Sequence, residues 1–391
     1  MRKALFLLAT LAIVSCQKPT VDYAVVSGKI LNYNYDKIFL ISVNNATVSK
    51  IQLNKDGSFS DTLKVTPQQH ILKLRNSRKE VTIYVKKGSN VNIEFDANNF
   101  LNTLAVTGTD QVISSYLKAK LEQEHSLLGE KFDFFKNNDE VAFKEKSAKL
   151  KSQLVKLINS MSDLPVAFKA YELRNIQYEY LNRLLSYESS HRILAGLSEF
   201  NVSEGFLDEL ERLDYNNSED FKNSDAYFSL IQNHLSSETR KLKKTKSLNS
   251  ATAQIEAFKN IESIEIRNFF LYDYGSRKID YMLESAKAYY DANMQVSTND
   301  QYKKEIHDLY TKRTKQFAKG SPSPKFENYV NYAGGTTSLD DLKGKYLWYN
   351  FNGYLVLKTY ISNNSSKYSL LLDKRGTLCC PPILPFFLSH L

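Results

Sequence analysis

The chain has 391 residues, 42% of them hydrophobic and 24% charged. That composition excludes a disordered or fibrous protein and fits two or three globular domains. The formal charge of +9 would suit an anionic partner, but the lysines are scattered. The densest basic run, Arg240–Lys246, has no interleaved aromatic residue and reads as a solvated linker, not a nucleic-acid surface.

The first element is an address. Met1-Arg2-Lys3 is basic and Ala4–Val14 is apolar, too short a run to span a bilayer as a helix. A short basic start with a short apolar core predicts a signal peptide over residues 1–16. Its end, Ile13-Val14-Ser15-Cys16, resembles the lipobox of bacterial lipoproteins. That resemblance implies acylation of the Cys16 thiol and a mature chain beginning there. Two or more acyl chains anchor stably, because each buried methylene adds roughly 0.8 kcal/mol. The expected partner is therefore a membrane, reached through the lipid anchor. The expected location is the cell envelope outside the cytoplasm, facing the periplasm because no acidic run follows Cys16.

Residues 22–108 read as strands. Period-2 alternation and β-branched residues mark Tyr23–Ile30, Lys37–Val43, Val48–Leu53, His70–Leu74, Val81–Val85 and Val91–Phe95. Turns fall at Asn54–Gly57 and Lys86–Ser89, where glycine accepts positive φ. Short strands at this spacing predict an antiparallel β-sandwich. Asp56-Gly57 is not followed by the D-x-D-x-D run of a calcium loop and predicts a hairpin turn. The order of strands and turns is similar to the small N-terminal β-domain of many Gram-negative redox lipoproteins.

Residues 110–318 predict an all-α region. Glycine and proline are sparse there, with Pro165 the one proline. Val141, Phe143, Leu150, Leu154, Leu157 and Ile158 recur at helical spacing. Asp163-Leu164-Pro165 reads as a helix start, since proline is tolerated in a first turn. The stripe from Phe168 to Leu184 then reads as core. Further helices are expected over 203–214, 218–236, 251–273, 275–293 and 299–317. Acidic residues stand singly among lysines, and no carboxylate pair presents itself as general acid and base.

Residues 319–351 begin with Gly320, Pro322, Pro324 and Phe326, followed by Ser338-Leu339-Asp340-Asp341-Leu342-Lys343-Gly344-Lys345 and the aromatic strand Tyr346–Phe351. The two prolines force extended backbone. These residues resemble the opening of the TlpA/ResA-like thiol-disulfide reductases of the thioredoxin superfamily, in which G-x-P-A-P-x-F and S-L-x-D-L-K-G-K precede a strand ending W-C-x-x-C. The order of lipobox, β-domain, helical region and redoxin start resembles that family's architecture over residues 1–351. The resemblance implies thiol-disulfide exchange with extracytoplasmic protein disulfides. Its thiolate would be held at a helix N-terminus and its mixed disulfide resolved by the second cysteine.

The resemblance stops after Phe351. Asn352-Gly353-Tyr354-Leu355 stands where the motif belongs, and the residues that follow are too few for the rest of a thioredoxin domain. The three cysteines, Cys16, Cys379 and Cys380, form no C-x-x-C pair, and the six histidines fall in no metal-binding spacing. No catalytic, cofactor-binding or metal-binding residue is therefore assigned, and Cys16 remains the sole site residue, for lipidation. Cys379 and Cys380 precede Pro381-Pro382, which forbid the helix that would lower a thiol pKa. Two explanations of the break stand side by side, a degenerate redoxin and a frame change: Gly353–Val356 can be written GGC TAC CTG GTG, which one base later, with the first base of Leu357, reads Ala-Thr-Trp-Cys, although that frame yields no second cysteine three places on. Residues 352–391 then read as an aberrant, poorly ordered tail. The expected fold is multidomain α+β: β-sandwich, helical region and incomplete thioredoxin-like segment. The expected function is that of a family member inactive for want of its dithiol. The alternatives are a non-enzymatic binding or scaffold lipoprotein, and a solute binder with an aromatic pocket between helices.

Overall fold

The computed structural model describes residues 21–42, 47–64, 68–74, 79–281, 284–316, 318, 325, 327–330, 334–343, 348–350, 354–359 and 367–370. The fold is mixed α+β, and the chain divides into two compact units, Met1–Ile266 and Arg267–Leu391.

The first unit opens with β1 (Tyr23–Leu31), β2 (Lys37–Ile41), β3 (Thr47–Gln52), β4 (Ser58–Lys64), β5 (Gln68–Leu74), β6 (Glu80–Val85), β7 (Asn90–Asp96), the short helix α1 (Phe100–Thr103) and β8 (Ala105–Gly108). They form two four-stranded sheets, ordered β4-β1-β7-β8 and β3-β2-β5-β6. Alternate residues of both sheets enter one apolar core: Ala24, Val26 and Ile30 from β1, Ile38 and Leu40 from β2, and Val91, Ile93 and Phe95 from β7. The expectation of a wholly antiparallel arrangement is corrected. β1 runs parallel to β7, with Val25 opposite Asn90 and Leu31 opposite Asp96. A parallel pair needs a long crossover, and β2 to β6 supply it. Gly28 makes the pair close, because a Cβ there would collide with the Ile93 carbonyl and meet the Phe59 ring.

The turn at Asn54–Gly57 also differs from its reading. It joins β3 of one sheet to β4 of the other, so it is a corner and not a hairpin. Asp56 shapes it: its Oδ1 accepts from the Ser58 backbone N–H at 3.1 Å and the Ser58 hydroxyl at 2.7 Å, an Asx-type turn. Gly57 takes φ +81°.

Helices follow: α2 (Gln111–Leu128), α3 (Lys131–Asn137), α4 (Glu140–Ser160), α5 (Val166–Leu194), α6 (Ser218–Asn223), α7 (Asp225–Lys246), α8 (Ser250–Lys259) and α9 (Ile264–Asp280). Pro165 sits at the N-cap of α5, as the proline signal predicts. Residues 203–214 hold a single 3-10 turn, Asp208–Leu210, in place of the expected helix. The expected helix over 218–236 is cut at Ser224, whose extended backbone ends α6 while its hydroxyl accepts from the Tyr227 N–H at 3.0 Å and so caps α7. The basic run is corrected most sharply, because Arg240–Lys246 is the C-terminal end of α7 and not a linker. Leu235 and Leu242 are buried on its inner face, and last-turn cations complement the helix dipole.

Ser147 on α4 is fully buried beside Phe143 and Leu150 in sequence register, and its hydroxyl has no partner among the described residues. An unpaired buried hydroxyl is costly. Ser147→Ala is expected to raise stability by about 1 kcal/mol, read as a higher urea midpoint; a lower midpoint would show that the hydroxyl is satisfied.

In the second unit, α9 continues with α10 (Ala286–Val296) and α11 (Asp300–Gln316). The expected helix over 275–293 is thus interrupted after Asp280 and restarts at Ala286. Ile279, Ala286 and Ile306 form a small core, and Tyr272 stacks on Tyr302 with ring centroids 4.2 Å apart. The C-terminal elements are β9 (Tyr329–Val330) paired with β10 (Thr336–Thr337), a 3-10 turn over Leu339–Leu342, and a meander of β11 (Trp348–Asn350), β12 (Tyr354–Thr359) and β13 (Lys367–Leu370). Ser338 and Asp341 form a reciprocal capping box on the 3-10 turn. Among the described residues no helix is long and apolar enough to cross a membrane.

Candidate binding site

One face of α2 carries Tyr116, Lys120 and Glu124 at four-residue spacing, and one face of α5 carries Glu172, Asn175, Glu179 and Asn182 at three- and four-residue steps. Such spacing puts each set in a single row. The Lys120 ammonium donates to Glu172 Oε1 and Glu179 Oε1, both at 2.7 Å. Glu172 is fully buried. It also accepts from the Tyr116 hydroxyl at 3.1 Å and from Asn175 Nδ2 at 3.3 Å. Asn175 Oδ1 in turn accepts from the Ser224 hydroxyl at 2.5 Å, which ties the cluster to the cap of α7.

The electrostatics follow from burial and sign. Burial would lower the Lys120 pKa, but the carboxylates of Glu172 and Glu179 outweigh it and hold the ammonium well above the ordinary lysine value. Burial, and then the negative charge of Glu172, push the Tyr116 hydroxyl far above the tyrosine range. Burial first, and the neighbouring Glu179 second, push Glu124 up to about 7. Glu179 Oε2, Gln123 Oε1 and the Nε and Nη2 of Arg183 are buried without a hydrogen-bond partner among the described residues.

The cluster faces a cavity of about 290 Å³. Six charged side chains line it: Lys118, Lys120, Lys131, Glu124, Glu179 and Asp225. Side chains of both signs suit a neutral or zwitterionic polar molecule better than an ion of either charge. Asn175, Asn182 and Ser229 add amide and hydroxyl groups, while Thr82 and Val106 of the sheets close another side. Tyr171 is the one aromatic residue in the wall. The expected aromatic pocket between helices is therefore corrected to a polar one, since Tyr116 of α2 and Phe168, Tyr178, Tyr180 and Tyr187 of α5 are buried in the core instead.

Two neighbouring features are structural. Asp220 is buried and takes Arg174 Nε at 3.0 Å, Arg174 Nη2 at 2.9 Å and the Tyr178 hydroxyl at 2.6 Å. This bidentate pair pins α6 against α5. An open groove of about 320 Å³ lies along Glu140, Val141, Lys144 and Phe206. There Glu140 already accepts from the Ser203 backbone N–H at 3.0 Å.

The site residues expected from sequence lie elsewhere. Cys16, the lipidation site, falls outside the described residues, as do Cys379, Cys380 and the family-like positions Gly320, Pro322, Pro324, Phe326 and Phe351. Among the described residues no group of three or more His, Cys, Asp and Glu side chains is placed to hold a metal ion. The Lys120 cluster escaped motif reading because Lys120 and Glu172 stand 52 positions apart. The signal that marks it is the row of polar residues at 172, 175, 179 and 182 along one face of α5. Compared with models of known protein families the chain matches none, and no curated protein matches it.

Proposed function

We propose that the chain is a lipid-anchored protein of the cell envelope, with the β-sandwich, helical body and redoxin-like start of the TlpA/ResA-like reductases, that binds a small polar solute instead of exchanging thiols. One observation carries this reading. Strand β11, on the segment that resembles the family's, pairs antiparallel with β12, with Trp348 opposite Val356 and Asn350 opposite Tyr354. A thioredoxin-type site needs a helix there, with a thiolate at its N-terminus. Here the residues after Phe351 carry no cysteine until Cys379, and the next described element is the strand β12, which supports a chain that does not exchange thiols.

Other features support the parts of the proposal. One core shared by two four-stranded sheets suits a sandwich. The β9–β10 pair and the capped 3-10 turn fall on the segment that resembles the redoxin opening. The cavity beside Lys120 and Glu124 offers charge and hydrogen bonds to a solute.

Anchoring has a direct test. Cells given labelled palmitate are expected to incorporate it into the wild-type chain and to lose all label in Cys16→Ser. Label retained by Cys16→Ser would contradict acylation at that position.

A further inference from the structure

The end of α7 carries charge of one sign only. Arg240, Lys241, Lys243, Lys244 and Lys246 are all exposed, and Leu242 alone among these seven residues is held inside with Thr245 also exposed. Between Glu238 and Glu256 the chain has five cations and no carboxylate. Among the described residues the nearest acidic partner is Glu238, 3.8 Å from Lys241. The helix dipole places about half a negative charge at this end, which offsets half of one cation, and Glu238 pairs Lys241 alone. They are also carried on an ordered helix, packed against α8, so presenting them together costs little further ordering.

We propose that this helix end is a docking surface for an anionic phospholipid bilayer. Charge complementarity is the argument: each Lys or Arg close to an anionic membrane strengthens binding roughly fivefold. A nucleic acid is the less suited polyanion, because residues 239–255 contain no aromatic side chain on which a base could stack. The docking surface does not depend on the lipoprotein reading. If the anchor is present, it raises the effective concentration of the patch at the membrane.

The test uses the full-length chain carrying Cys16→Ser, so that no acyl chain contributes and failure of the anchor reading stays separate. Its apolar leader acts equally in every variant. Binding is measured to phosphatidylcholine vesicles with and without phosphatidylglycerol. A patch variant, Lys243→Glu/Lys244→Glu/Lys246→Glu, is compared with a control of equal net charge, Lys55→Glu/Lys149→Glu/Lys156→Glu, after both are shown to keep the helical circular dichroism. Phosphatidylglycerol is expected to strengthen binding of the parent. The patch variant should lose at least on the order of 100-fold of that gain, from three lysines lost and three anions added, the control should retain most of it, and about 1 M salt should abolish it by shortening the Debye length to about 3 Å. Equal losses in patch variant and control would overturn the proposal, since net charge and not this surface would then govern. So would binding indifferent to phosphatidylglycerol, or tighter patch-dependent binding to a nucleic-acid duplex than to the vesicles.

Discussion

Replacing Lys120 by methionine is expected to cost about 3–5 kcal/mol of stability. Methionine keeps the volume and removes the charge. Glu172, fully buried, would keep its bonds from Tyr116 and Asn175 but lose the ammonium that Lys120 holds 2.7 Å from its Oε1. Glu179 loses the same partner. Breaking a buried pair on one side costs more than removing both sides, because it strands a charge out of water. The double variant Lys120→Met/Glu172→Gln should therefore be more stable than Lys120→Met alone. Urea midpoints of the four proteins of the cycle decide the matter. A single-variant loss of about 1 kcal/mol or less, as for an exposed pair, would contradict the buried ion cluster.

Glu124 should make stability fall as pH rises through neutrality. Its folded pKa is raised to about 7 from an ordinary 4.5, through burial and the adjacent Glu179. The folded chain thus holds a proton that the unfolded chain has already released. The linked stability is fully present below the unfolded value and is lost as pH rises to the folded one. The loss is on the order of 3 kcal/mol. Glu179, Lys120 and Arg183 face the group and set its shift, so Glu124→Gln is the clean control. Its stability should show a smaller fall between about pH 5 and about pH 7 than wild type. Parallel curves for the two proteins would remove Glu124 as the cause.

Local pattern made much of the fold legible. Alternation placed β1 from Tyr23 and β7 through Phe95 because each strand has one face in the shared core. The parallel pairing of Val25 with Asn90 was not legible. It is decided by packing across some 65 positions, and a strand carries no mark of its neighbour's direction. Helix content was legible from the scarcity of breakers, but the breaks were not. Ser224 interrupts a helical pattern because its hydroxyl has two employments, capping α7 and bonding Asn175, and the second depends on tertiary contact. Arg240–Lys246 was misread because charge density outweighed the single apolar anchor Leu242. The site was the least legible part. Lys120, Glu172 and Glu179 are ordinary surface types in sequence, and only the facing of α2 and α5 turns them into a buried cluster.

The proposal that the chain binds without exchanging thiols rests on the antiparallel pair β11–β12, which follows the segment resembling a redoxin opening. The most direct test is reduction of insulin disulfides by the purified 391-residue chain in the presence of a thiol donor. The expected result is turnover no faster than buffer with the donor alone, unchanged in Cys379→Ser/Cys380→Ser. Turnover above buffer that disappears in that double variant would contradict the account and move the chemistry to the adjacent cysteines.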